Sequence, residues 1–382
     1  MATDGGDSSG MLQGILDLTV KLRQASVGPA LRDLAAGRSP QAPVVVELDP
    51  TSYCDLACPE CISSPLLNKD RFTDEALVRL ATGLADAGVL AVILIGGGEP
   101  LLHPATPKII ELLSSRGVKI GLTTNGTRVD RHLDVLAEHV AWTRVSVDAA
   151  SARTAASFRP TRSGREKFDQ VIENMRQLAA RKKGLLGFSF LLMSRREPDG
   201  RIRESNFGEV EAAARLALDI GCDYFEVKPE YDMGHYLISQ DPRLVADLEA
   251  QLVDIRALES PTFAILQPKN LSVILAAEQT SQPKDYESCP TAELRTLLTP
   301  GGAYVCPYHR GNPAARYGDP ASTNFGSLWH GEARADAVRR INPRVDCGFH
   351  CIRHEANLEL IQISRDGVPT DYSNLPDSDL FL

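Results

Sequence analysis

From Val44 onward, six short runs rich in Val, Ile, Leu or Phe alternate with stretches of helical periodicity. No other feature of the chain limits its fold so tightly. The strand candidates are Val44–Leu48, Leu90–Ile95, Lys119–Thr123, Thr143–Val147, Leu186–Leu192 and Tyr224–Val227. Helices are expected between them at Thr73–Ala87, Ala105–Arg116, Asp130–Glu138, Arg165–Lys183 and Phe207–Ile220, with another at Pro242–Ala257. A strand that returns to its sheet through a helix runs parallel to the one before, by a right-handed crossover. The pattern predicts an α/β fold, an open and incomplete (β/α)6 barrel. A doubly wound open sheet is the alternative.

The rhythm also divides the chain. Residues 1–42 read as an N-terminal appendage whose Met1–Gly10 start is rich in Gly, Ser and Asp, with helical spacing from Leu12 to Leu22. Residues 43–260 carry the barrel pattern. In residues 261–355 Pro, Gly and Asn are frequent, and Leu294–Leu298 and Ala303–Tyr308 flank the hairpin signal Thr-Pro-Gly-Gly. This predicts a small cysteine-rich α+β domain that needs a metal staple. Residues 356–382 are a C-terminal tail. The 43% hydrophobic content suffices for a core and excludes a wholly disordered chain. No apolar run has the length of a membrane span, so no membrane partner is expected. The first residues lack the basic start and apolar stretch of a signal peptide, which predicts a cytoplasmic protein. A net charge of −9 argues against nucleic acid as a partner.

Eight cysteines stand at 54, 58, 61, 222, 289, 306, 347 and 351. In a reducing compartment disulfides are a poor reading, and clustered cysteines point to metal. Cys54, Cys58 and Cys61 form CxxxCxxC directly after the first strand candidate. Three thiolates on one loop suit three irons of a 4Fe–4S cluster and leave the fourth iron open. Zinc, which usually takes four ligands, is the alternative. The second group is Cys289, Cys306, Cys347 and Cys351, for which a structural zinc site is again the alternative.

The CxxxCxxC loop, followed by Gly96-Gly97-Gly98-Glu99-Pro100 after the second strand, resembles the radical S-adenosylmethionine (radical SAM) superfamily. Thr123-Thr124-Asn125-Gly126 and Val145-Ser146-Val147-Asp148 follow in the order of that family. The resemblance implies that Cys54, Cys58 and Cys61 hold a 4Fe–4S cluster. It implies that Gly97, Gly98 and Glu99 receive the amino group of SAM, that Asn125 closes the third strand at the site, that Ser146 and Arg159 hold the SAM carboxylate, and that Asp148 lies near the ribose. A solvated loop arginine is the other reading of Arg159. Glu60, before the third cysteine, departs from the family's frequent aromatic residue, which puts adenine stacking there in doubt. The implied chemistry is reductive cleavage of SAM to a 5′-deoxyadenosyl radical that abstracts a substrate hydrogen. An external electron donor such as flavodoxin or ferredoxin is implied with it.

The C-terminal cysteines are similar to the SPASM/Twitch extension of that superfamily, in its shorter form. This implies a second 4Fe–4S cluster, fully ligated by Cys289, Cys306, Cys347 and Cys351. The layout resembles aminocyclitol and aminoglycoside dehydrogenases such as 2-deoxy-scyllo-inosamine dehydrogenase. That resemblance implies a polar small-molecule substrate from antibiotic biosynthesis, oxidised from alcohol to ketone. An epimerase or decarboxylase on a sugar-containing natural product, or a ribosomal peptide maturase, is the alternative. Glu226 and Lys228 share a strand face, as do Glu47 and Asp49. Glu226, Lys228 and Glu47 are the candidates for gripping the substrate and taking its proton, against a bland reading as lumen salt bridges. Cys222 precedes the sixth strand, at the end opposite the expected active site, and reads as a buried structural thiol.

Overall fold

The computed structural model describes residues 15–199, 201–232, 235–237, 241–268, 271, 275, 282–348, 351–372 and 375–382. Met1–Gly10 and the start of the Leu12 helical pattern lie outside them. The described part of that pattern is the short helix Leu18–Leu22. All six strand candidates form: β1 (Val45–Leu48), β2 (Ala91–Leu94), β3 (Lys119–Thr124), β4 (Trp142–Ser146), β5 (Leu185–Leu192) and, after a small hairpin of β6 (Ser194–Arg196) and β7 (Ile202–Ser205), β8 (Tyr224–Asp232). β8 outruns its expected end at Val227 because β9 (His235–Leu237) folds back and pairs with Glu230, Tyr231 and Asp232. β10 (Ala264–Leu266), β11 (Arg295–Thr299), β12 (Gly302–Tyr304) and β13 (Arg316–Gly318) complete the set.

The main sheet runs in the order β10-β8-β5-β4-β3-β2-β1-β11-β12-β13. Every pairing from β10 to β11 is parallel. The order never doubles back across β1 to β8. Right-handed crossovers therefore lay every connecting helix on the same face and leave the other free to curl around a lumen. This decides for a partial barrel and against the doubly wound sheet.

Strand alternation sorts the side chains. Val46, Leu48, Val92, Leu94, Phe188, Phe190 and Val227 enter the core shared with the helices Asp74–Ala87, Thr106–Ser115 and Val210–Ile220. The first of these helices starts at Thr73, whose hydroxyl accepts from the Ala76 N–H at 3.1 Å, and stops at Gly88 in the left-handed conformation (φ 89°). Glu47, Gly121, Arg144, Ser189 and Glu226 have the opposite parity and face the lumen. Gly121 is required there, because a Cβ would meet the Trp142 ring at 2.3 Å.

The sheet crosses the division drawn at residue 260, since β10 pairs with β8 and β11 with β1. Residues from the two ends of the chain meet as well. Leu22, Leu31 and Leu34 pack with Leu360, Ile363 and Phe381 over Val44, Val45 and Ala91 at the strands' N-terminal ends. Among the described residues, no helix is long and apolar enough to cross a membrane.

Phe381 lies edge-on to Trp142, with ring centroids 5.3 Å apart, and is nearly fully buried. Phe381→Ala is expected to cost about 3–5 kcal/mol, as for other buried phenylalanines. Arg38→Ala, at an exposed ion pair with Asp33, should stay within about 0.5 kcal/mol. Thermal unfolding of the two variants against the parent chain reads this difference.

Candidate functional site

The loop after β1 carries Cys54, Cys58 and Cys61, all free thiols and half-buried. Its ends are closed by side chains. Ser52 Oγ accepts the N–H groups of Lys69 and Asp70 at 3.0 and 2.9 Å, and Asn68 Oδ1 accepts that of Cys54 at 3.1 Å. The Ala57 N–H donates to the Pro160 carbonyl at 2.7 Å, tying the loop to the segment after Arg159. The glycine turn after β2 lies against the same loop. Glu99 N–H donates to Tyr53 O at 2.8 Å, and a Cβ on Gly98 would sit 2.2 Å from that oxygen. Only glycine allows this approach.

Glu99 is buried, and both its oxygens are engaged by the chain. It accepts from Thr124 Oγ1 (2.7 Å), Asn125 N (2.7 Å) and Leu101 N (3.0 Å). Burial pushes its carboxyl up to about 7 despite these donors. It thus braces the end of β3 against the glycine turn. Asn125 Nδ2 points the other way, donating to Asp55 Oδ1 at 2.9 Å and approaching Cys54 Sγ at 3.7 Å.

Asn125, Ser146 and Arg159 line one cavity of about 300 Å³ together with Thr127, Lys167 and Phe168. Arg159 is not a solvated loop arginine. It is paired with Asp148 at 2.6 Å and lies beside Cys58, whose charge and that of Asp148 raise its pKa against the effect of burial. Asp148 has a positive φ of 58°, and its Oδ1 accepts from Leu191 N at 2.7 Å. Thr127 and Lys167 carried no motif signal in the sequence. Glu60 lies in an ion pair with Arg195, whose guanidinium stands 4.6 Å from the Phe158 ring centroid. Arg195 was likewise invisible in the sequence, because its hairpin is held by tertiary contacts.

Of the two readings open for Glu226, Lys228 and Glu47, the structure displays the lumen salt bridges. Arg144 and Lys228 approach the same oxygen of Glu226, at 3.1 and 3.2 Å. Burial pushes the Glu226 carboxyl up, but Lys228 and Arg144 together outweigh it and hold the group at about 2. A carboxylate this acidic is a poor base near neutral pH. Glu47 is buried between Arg295 and Arg353 and does not open onto a substrate space. Lys228 remains half-buried in the lumen beside Glu226. Cys222 is buried in the core at the N-terminal end of β8, and burial raises its thiol pKa.

Cys289, Cys306, Cys347 and Cys351 line the wall of a second cavity, of about 560 Å³. Arg295 and Arg353 line it too, and three of their buried nitrogens, Arg295 Nε and Arg353 Nε and Nη1, have no hydrogen-bond partner among the described residues. His309 Nε2 lies 3.4 Å from Cys347 Sγ. Among the described residues no three Cys, His, Asp or Glu side chains stand together as a metal site; the four thiols share the wall of this hollow with the unsatisfied cationic donors of Arg295 and Arg353, which would offset thiolate charge there.

Residues 48–223 match the model of the Radical SAM superfamily. The chain is similar to the mycofactocin maturase MftC of Mycobacterium tuberculosis, 24% identical over 283 residues that cover 71% of this chain and 66% of that protein. It is also similar to the GTP 3′,8-cyclase of Chlorobaculum tepidum, 32% identical over 190 residues that cover 48% of this chain and 53% of the cyclase. The chain thus spans about two thirds and about half the length of these relatives. Among solved structures, Streptococcus suis SuiB bound to precursor peptide SuiA shares the fold, with a TM-score of 0.58 at 14% identity, covering 78% of this chain and 67% of that one.

Two measurements check this site. Gly98→Ala should reduce SAM binding at least about tenfold, because the added methyl forces the glycine turn off the cysteine loop; calorimetry on the iron-loaded protein reads it. In pH-difference infrared spectra, one carboxyl band should ionise near pH 7 as pH rises and vanish in Glu99→Gln. Glu226→Gln should remove no titrating band between pH 5 and 8.

Proposed function

We propose that this chain is a radical SAM maturase that modifies a peptide, with SAM and a 4Fe–4S cluster at Cys54, Cys58 and Cys61 and a second such cluster in the four-cysteine cavity. The observation that carries the reading is the cavity of Asn125, Ser146 and Arg159 beside the cysteine loop and its glycine turn. Support for a peptide substrate comes from the likeness to a mycofactocin maturase and to a SuiB structure holding its precursor peptide. When bound, the first cluster and SAM supply a 5′-deoxyadenosyl radical that takes a hydrogen atom from the substrate. The chain's own residues bind and orient. Arg159 and Ser146 offer donors to the SAM carboxylate. The glycine turn lets the ligand approach the backbone, and Asp148 holds the Arg159 guanidinium in place. Arg295 and Arg353 offset the negative charge of four thiolates in the second cavity.

The four-cysteine cavity also favours a second reading, a dehydrogenase acting on a sugar or aminocyclitol, because a fully ligated second cluster suits an electron acceptor. In either reading an external flavodoxin or ferredoxin supplies the first electron, and the protein works in the cytoplasm. Reduced protein incubated with SAM and either a synthetic peptide pool or 2-deoxy-scyllo-inosamine separates the two. Loss of two hydrogens from a peptide, matched by 5′-deoxyadenosine, is the expected result, and oxidation of the aminocyclitol alone would replace it by the second reading.

Anaerobic reconstitution should load about eight irons per chain, from two four-iron clusters. The double variant Cys347→Ala, Cys351→Ala should hold about four and still form 5′-deoxyadenosine. Stoichiometric zinc beside four irons in the parent chain would replace the second cluster by a structural zinc site.

A further inference from the structure

We propose that the lumen holds a recognition site for an anionic group of the substrate, a carboxylate or phosphate, built from Arg144, Lys228 and Ser189. This rests on the reading of the chain as a radical SAM enzyme and names what its substrate must carry.

The register places the site. Ser146, Ser189 and Glu226 are neighbours across β4, β5 and β8, and residues in parallel register share a face. Ser146 lines the cavity with Arg159 and Asn125. Glu226 stands two strand spacings away, about 10 Å. The group in question therefore lies beside the candidate SAM cavity, within the reach of one small ligand. Its access is graded. The side chains of Arg144 and Lys228 are 26% and 27% exposed, whereas that of Glu226 beneath them is 7% exposed.

The charges then fail to balance in one direction. Asp49 has Arg310 and Asp148 has Arg159, one cation each. Glu47 has both Arg295 and Arg353, which face the four-cysteine cavity. Glu226 also has two, Arg144 and Lys228, and both crowd onto a single carboxylate oxygen. Two cationic side chains thus face one carboxylate at the lumen wall of a chain whose net charge is −9, with Asp148 and Glu47 acting on them from farther off. An uncompensated charge in a partly buried site is costly, so an anion is the ligand that improves the balance.

The polar groups point the same way. Ser189 Oγ is buried, with the residue 1% exposed, and has no hydrogen-bond partner among the described residues. Arg144 Nε is also buried without one. A hydroxyl between Ser146 and Glu226, an arginine with a spare nitrogen, and a lysine form a donor set for an oxyanion. With one excess charge, a carboxylate fits better than a dianionic phosphate. On the peptide reading it belongs to an acidic side chain or a chain end.

The test uses iron-loaded protein with SAM and four probes: acetyl-Ala-Ala with a free carboxylate, the same dipeptide as its amide, ribose 5-phosphate and ribose. Calorimetry should give the acid at least about tenfold tighter binding than the amide. Arg144→Gln and Lys228→Met should each lose about tenfold or more for the acid, and Lys228→Arg should recover part of it. Glu226→Gln carries the sign. It frees both cations, so the acid should bind about tenfold tighter, where a merely structural salt bridge would give no gain. Equal binding within both pairs of probes, or acid binding no tighter in Glu226→Gln than in the parent, overturns the proposal. A preference for ribose 5-phosphate over ribose without one for the acid keeps the anion site and removes the peptide as its source. Formation of 5′-deoxyadenosine by the same preparation is scored separately. Its absence sinks the radical SAM reading, whereas its presence with no anion preference sinks the anion site alone.

Discussion

The approach of Gly98 to the backbone of Tyr53 is the contact on which the site depends. It presses the turn after β2 onto the loop after β1, so that three half-buried thiols and a glycine turn form one surface. The Glu99 carboxylate then clamps that turn to the end of β3 through Thr124 and Asn125. Asn125 in turn reaches back to Asp55 and Cys54. Three consecutive strand ends are thus fixed by one close contact and one buried acid. In a parallel sheet all these ends lie on the same side, which is where such folds place their chemistry.

The lumen behind this surface is organised by charge. Acids and bases that would be costly alone are buried in pairs or in threes. Asp49 and Asp148 each pair with one arginine, whereas Glu47 and Glu226 each stand against two cations. The cations of Glu47 line the four-cysteine cavity, and those of Glu226 stand at the lumen wall. The protein's overall negative charge gives no sign of either group.

The second cysteine group ties the ends of the chain into this arrangement. β11 adds to the sheet beside β1, so Arg295 stands next to Glu47, and Arg353 joins them from beyond Cys351. The helix His354–Asp366 then packs with Leu22, Leu31 and Leu34 near the start of the described chain. The terminal segments close the N-terminal ends of the strands, opposite the cysteine loop.

The sequence by itself determined the alternation of strands and helices, the parallel sheet and the two cysteine groups. These are local matters: a run of Val, Ile and Phe specifies a buried strand, and the spacing of Cys54, Cys58 and Cys61 places three thiols on one loop. Only the tertiary structure decided which partners Glu226, Glu47, Glu99 and Arg159 have. Their sequence neighbours left Glu226 and Glu47 open between substrate-gripping bases and lumen salt bridges, and Arg159 between a ligand and a solvated arginine. The partners that hold Glu226 ionised come from β4 as well as β8, and those that bury Glu47 come from residues 295 and 353. A side chain's charge state follows from its burial and its nearest opposite charges. Such distances through space between residues far apart in the chain are what a linear pattern does not contain.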